Sequence, residues 1–133
     1  MRLARTSLFD GIVVCHPGPF TNTELKAIKT PTSWVCAEGA SLFTSTRGQL
    51  MLIQPNTSPS EDVFFSDSAK ARAEAEFAGR KGTARFVEYE FKVYDGTTHG
   101  FACRPNLAYP EIEKAYRGAL EQSAFWFERT LAT

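Results

Sequence analysis

Two short runs, GIVVCHP at residues 11–17 and TSWVCA at residues 32–37, constrain this chain more than any other feature. Neither alternates polar with apolar side chains, and the first is rich in β-branched residues. A strand wetted on one face alternates, so these runs read as strands covered on both faces, as in a parallel sheet with helices packed against it. Parallel neighbours need a crossover, and TNTELKAIK (21–29) lies between them. It opens on capping residues, offers a turn or two of helix and is stopped by Pro31.

The same alternation continues downstream. SDSAKARAEAEFAG (66–79) predicts a helix, with a Ser/Asp cap, an Ala-rich middle and Gly79 just past its end. ARFVEYEFKVYDG (84–96) contains a third strand, in which Phe91 and Val93 alternate with Glu90 and Lys92 before Asp95-Gly96 halts it. From Pro110 to about Leu131 the spacing of Ile112, Ala115, Tyr116, Ala119, Leu120, Ser123, Trp126 and Phe127 predicts one long helix with one apolar face. Pro110 suits its first turn. Strands alternating with amphipathic helices give an α/β domain with a parallel sheet. Three strands are few for such a sheet, whose faces and edges all need cover, so the chain reads as half of something.

Composition narrows the classes of partner. Lys plus Arg and Asp plus Glu both number 15 in 133 residues, so no electrostatic case for nucleic acid or an anionic membrane can start from net charge. No apolar run is long enough to span a bilayer, and MRLARTSLF is too short and too weakly apolar for a secretory signal. Cys15, Cys36 and Cys103 form no CxxC pair and no even framework, which suits a reducing cytoplasm.

In open α/β sheets ligands sit at the carboxyl ends of the strands. The three strands here lead, in turn, into His16, an acidic region after SWVCA, and the loop DGTTHGF. His99 lies on that loop between flexible neighbours, where a ring can hang over the sheet edge. Asp62, in EDVFF, is the candidate acid. An acid after one strand and a histidine after the next is the back half of a nucleophile–acid–base triad in α/β-hydrolase order. The alternative is that Asp62 only supplies negative charge near the start of the next helix. A metal reading of Cys15, His16, Cys36 and His99 is disfavoured: the spacings match no zinc signature, and adjacent strand residues point to opposite faces. No cofactor is expected.

KVYDGTTHGFACR, LKAIKTPTSWVCAE, EDVFF and YRGALEQSAFWFERTL together resemble the C-terminal half of the dienelactone hydrolase family. The resemblance runs from Gly11 onward except for residues 39–60, and YDGTTHGF is its most specific piece. It implies a partial α/β-hydrolase fold, with about three parallel strands, flanking helices and a long C-terminal helix in one domain over 1–133. It also implies hydrolysis of a small-molecule lactone or ester by a Cys–Asp–His triad. His99 matches the base and Asp62 the acid that orients it. Arg104 resembles a family position that faces the substrate's carboxylate, the alternative being an ordinary surface arginine. His16 resembles a strand-end histidine common in relatives and reads as structural or pocket-lining. The family's nucleophile sits in a Gly-x-Cys-x-Gly elbow, and neither that motif nor Gly-x-Ser-x-Gly occurs here. The elbow is expected in a segment preceding Met1, and the chain alone is expected to be inactive. Two other readings stay open: a non-catalytic module that self-associates through an exposed sheet edge, and a gene fragment that never accumulates as folded protein.

Residues 39–60 interrupt the family pattern. A structureless stretch that long inside a small domain is uncommon. The codons offer a reason. Gly39 permits a G followed by a GT splice donor, Ser60-Glu61 permits an AG acceptor, and Leu52-Ile53 permits a branch-point-like CTAAT. Excision from after the first base of codon 39 through the first base of codon 61 restores Cys-Ala-Glu-Glu-Asp-Val-Phe-Phe in frame. The hypothesis is that 39–60 is translated intron; a genuine surface insertion is the alternative, since loop closure cost grows slowly with length. Sequencing the transcript decides, and these codons in every read would refute excision.

Overall fold

The buried runs do become the middle and one side of a parallel sheet. The structure is a computed structural model that describes residues 3–6, 8–38 and 65–131. A 3-10 turn (Leu3–Arg5) is followed by β1 (Ile12–Cys15), α1 (Asn22–Lys26), β2 (Thr32–Ala37), α2 (Asp67–Ala78), β3 (Tyr89–Tyr94) and α3 (Pro110–Leu131). The sheet order is β1-β2-β3, all parallel, with Ile12 opposite Thr32 and Thr32 opposite Tyr89. Every residue of β2 is buried, whereas β1 and β3 are largely half-buried, as central and edge positions require. The 39–60 stretch and the Asp62 turn lie outside the described residues.

The pleat sorts side chains between two cores. Ile12 and Val14, Trp34 and Cys36, and Tyr89, Phe91 and Val93 face one side, where they meet Leu25 of α1, Ile28 just past it, and Ala73 and Phe77 of α2. α1 and α2 both lie on that face, which is where the helices of two crossovers of one hand, stepping in one direction, fall. Val13, Cys15, Val35, Ala37 and Tyr94 face the other side, against Ala115 and Ala119 of α3. The alternation read in β3 holds: Phe91 and Val93 enter the first core, while Lys92 is exposed on the opposite face.

Trp34 organises the first core. Phe91 stacks on it at 5.0 Å and Phe65 at 5.9 Å, with Phe20 and Phe77 meeting its edge at 6.0 and 6.1 Å. Its indole N–H donates to Thr32 Oγ1 at 3.0 Å, so burial leaves no orphan donor there. Phe65, the last residue of EDVFF, is thereby anchored in the core.

The helix ends are set by local chemistry. Thr21 and Glu24 form a reciprocal capping box on α1: the Glu24 N–H donates to Thr21 Oγ1 at 3.2 Å and the Thr21 N–H to Glu24 Oε2 at 2.9 Å. That main-chain bond holds the Glu24 carboxyl below its ordinary range. A helix of five residues cannot stand alone, and Arg80 supports its far end. The buried guanidinium donates to the carbonyls of Leu25 at 2.8 Å and Ile28 at 2.9 Å and pairs with Glu76 at 3.1 Å. Gly79 closes α2 in ordinary helical conformation (φ −65°), and the left-handed turn comes later, at Gly82 (φ 80°).

α3 differs from its expected face. Ala115, Ala119 and Trp126 are buried, but Leu120 and Phe127 are 52% and 38% exposed. The buried stripe instead passes through Gln122, whose amide donates to Ser33 Oγ (2.8 Å) and Glu90 Oε1 (3.2 Å) and accepts from Tyr94 Oη (2.9 Å). A polar residue holds a core-facing position because polar sheet groups wait beneath it. Gly118 lets the helix approach Tyr94, since a Cβ there would lie 2.9 Å from the ring. No helix among the described residues is long and apolar enough to cross a membrane.

Candidate functional site

Parallel strands in register finish at one end of the sheet. Cys15 lies opposite Val35, and Ala37 lies opposite Tyr94, so His16, Glu38 and the loop after β3 emerge side by side. The loop is fixed largely through its main chain. Glu38 Oε2 accepts from the Gly96 N–H at 2.6 Å, and buried Thr97 donates its hydroxyl to the Tyr94 carbonyl at 2.5 Å. The Phe101 N–H then bonds the Thr98 carbonyl, and the N–H groups of Cys103 and Arg104 both bond the Gly100 carbonyl. Gly96 and Gly100 adopt positive φ (70° and 99°), which these reversals need and side-chain-bearing residues resist. Phe101 plugs the loop into the second core, 5.4 Å from Tyr94.

His16 clamps this loop. It is the one non-glycine residue among those described with positive φ (54°), a conformation for which histidine is better suited than most residues. The turn takes His16 out of the strand's alternation, so the opposite-face argument applied to Cys15 and His16 fails at this position. Its ring lies 5.2 Å from both Phe101, edge-on, and His99, tilted by 60°. The Gly100 N–H points at its Nδ1 at 3.1 Å and the Ala102 N–H at its Nε2 at 3.0 Å. A neutral imidazole has one accepting nitrogen, and an imidazolium has none. His16 therefore offers its lone pair to the main chain, as the structural reading of this residue expects, and holds the loop from below.

His99 is at the opposite extreme. Its side chain is exposed, on a loop whose neighbours are pinned, 5.2 Å from the clamping ring. The site thus presents one reachable imidazole at the carboxyl end of a parallel sheet. Arg104 is exposed at the end of the same loop, five residues beyond His99 in sequence. Asp62 belongs to the residues the structure does not describe, so its relation to His99 is not part of this geometry.

The cysteines offer little as nucleophiles. Burial pushes the Cys15 thiol up, and the neighbouring Cys103 pushes it further. The thiolate is the reactive form, so Cys15 is held in its unreactive state. Cys36 is buried beneath the sheet surface and Cys103 is exposed. Among the described residues no cluster of three or more His, Cys, Asp and Glu could hold a metal ion. Two open hollows lie away from the histidines. One of about 370 Å3 is lined by Lys26, Lys29, Arg80 and Phe86, and one of about 380 Å3 runs beside β3.

The loop sequence singles out His99 as a candidate, whereas Glu38, whose carboxylate joins the ends of β2 and β3, is not singled out. The signal for Glu38 is an acid directly after a buried strand, and the acid in EDVFF competes with it for the same role. No protein-family model, curated protein or solved structure matches the chain.

Proposed function

We propose that this chain is the acid–base half of a lactone or ester hydrolase of the dienelactone hydrolase type, acting in the cytoplasm on a small carboxylate-bearing substrate. The observation that carries the reading is an exposed His99 on a loop locked at the carboxyl end of a parallel sheet. His99 serves as general base. It takes the proton from a cysteine thiol supplied by a Gly-x-Cys-x-Gly elbow, a motif this sequence does not contain. The thiolate attacks the carbonyl carbon, the C–O bond to the leaving alkoxide breaks, and the imidazolium returns the proton to that oxygen. Water, deprotonated by the same ring, then releases the acid and the thiol. Asp62 orients the imidazole and stabilises its charged form, and the Arg104 guanidinium receives the substrate's carboxylate.

The partial α/β-hydrolase fold belongs to this proposal. It draws support from the strand order, α1 and α2 on one face and α3 on the other. A p-nitrophenyl ester and a dienelactone test it directly. The isolated chain is expected to give no burst and no turnover above buffer, because covalent catalysis is missing. Turnover that disappears in His99→Ala would show a nucleophile that this reading does not contain.

A further inference from the structure

β3 closes the sheet on one side with half of its main-chain groups turned outward. The Thr32 N–H donates to the Glu88 carbonyl at 3.0 Å, so the pleat turns the N–H and C=O groups of Glu88, Glu90 and Lys92 toward β2. Tyr89, Phe91 and Val93 turn theirs outward, and among the described residues no strand pairs with them. α3 packs chiefly over β1 and β2, which leaves the hollow of about 380 Å3 between the open edge and Phe125. Phe125 itself is 59% exposed.

The charges on this edge are self-complementary. Glu90 and Lys92 flank Phe91 symmetrically, one acid and one base on the same face of the strand. We propose that β3 pairs antiparallel with β3 of a second copy, about a two-fold axis at Phe91, to make one continuous sheet. This places Phe91 opposite the partner's Phe91 as a hydrogen-bonded pair and Tyr89 opposite the partner's Val93. Glu90 then faces the partner's Lys92, and symmetry repeats the pair. Centring the axis on Tyr89 instead would set Glu88 against the partner's Glu90, two like charges, so the edge selects its own register. Ser33 and Gln122 both bond Glu90 Oε1, which steadies the carboxylate and leaves Oε2 for the partner's ammonium. The two-fold runs through the sheet, so both copies of α3 lie on one side and the two hollows lined by Phe125 meet across the axis. The edge of β1 carries only Ile12, Val13, Val14 and Cys15, with no charge pattern to choose a partner or a register. The pairing rests on β3 alone and stands whether or not the chain is part of a hydrolase.

A charge swap tests it. Sedimentation over a concentration series is expected to show a reversible dimer for the unaltered chain. Lys92→Glu turns both attractive cross-strand pairs repulsive and is expected to weaken the dimer roughly tenfold or more. The double variant Glu90→Lys with Lys92→Glu restores opposite charges across the axis but removes the acceptor of Ser33 and Gln122, so it is expected to dimerise at least about threefold more tightly than Lys92→Glu alone, with circular dichroism verifying its fold. Lys92 is exposed, so its variant keeps the fold, which circular dichroism verifies. A chain monomeric throughout the series, a dimer indifferent to Lys92→Glu, or a double variant no tighter than the single one would each overturn the proposal.

Discussion

Replacing His16 by Leu should loosen the His99 loop before it harms the rest of the sheet. Two N–H groups, from Gly100 and Ala102, lie 3.1 and 3.0 Å from the imidazole nitrogens, and both are partly buried. A neutral ring satisfies one of them at a time, so the substitution removes one bond and leaves a donor short of an acceptor, at a cost of about 1–2 kcal/mol. Loss of the edge-on contact with Phe101 adds about 0.5–1 kcal/mol. Leu carries the same Cβ as His into the left-handed region at φ 54°, so the backbone adds little. The expected total is about 2 kcal/mol, or roughly 8 °C in Tm for a domain of this size. His16→Gly removes the same ring but relieves the backbone, so it should lose only about 1 kcal/mol. Urea unfolding gives the two stabilities, and amide exchange at Gly100 and Ala102 reports the loop itself. If both variants stay within about 0.5 kcal/mol of the parent and both amides remain protected, His16 does not clamp the loop.

Two further outcomes rest on buried or half-buried polar groups. Arg80→Met keeps the aliphatic stem but withdraws the guanidinium from the Leu25 and Ile28 carbonyls and from Glu76, and should cost about 3–5 kcal/mol in urea unfolding. A loss below about 1 kcal/mol would mean that α1 does not depend on that support. Burial, then the charges of Glu90, Glu121 and Cys15, pushes the Tyr94 phenol up from 10.0 to about 12. The folded state therefore holds this proton more tightly than the unfolded chain. The resulting stability is fully present below pH 10 and lost as pH rises toward about 12. Unfolding measured across that window should show a steeper alkaline decline for the parent than for Tyr94→Phe; parallel curves would contradict the assignment.

Much of this architecture was legible because burial on both faces leaves a plain mark. GIVVC and TSWVCA lack alternation, YEFKVY has it, and the sheet places the first as a half-buried edge, the second as the buried centre and the third where Lys92 reaches solvent. The caps at Thr21 and Ser66 were equally readable, since hydroxyl side chains satisfy amides only a few residues away. Long-range polar contacts were not. Gln122 stands outside the apolar spacing of α3, and nothing local reveals that Ser33, Glu90 and Tyr94 lie below it. Leu120 and Phe127 looked like core residues because helical period alone cannot tell how wide a stripe the sheet covers. At the site, sequence singled out His99 and placed His16 beside the sheet. It could not show that His16 leaves the strand at positive φ and commits its lone pair to the loop.

We propose His99 as the base of a triad whose nucleophile comes from elsewhere. The measurement that bears on it most directly joins this chain to a front half of the dienelactone hydrolase type that carries a Gly-x-Cys-x-Gly elbow, and monitors lactone hydrolysis. Turnover by the joined protein is expected, as is loss of that turnover in both His99→Ala and Asp62→Asn. A folded joined protein that carries the elbow yet hydrolyses neither lactone nor ester, or one whose turnover survives His99→Ala, would contradict it.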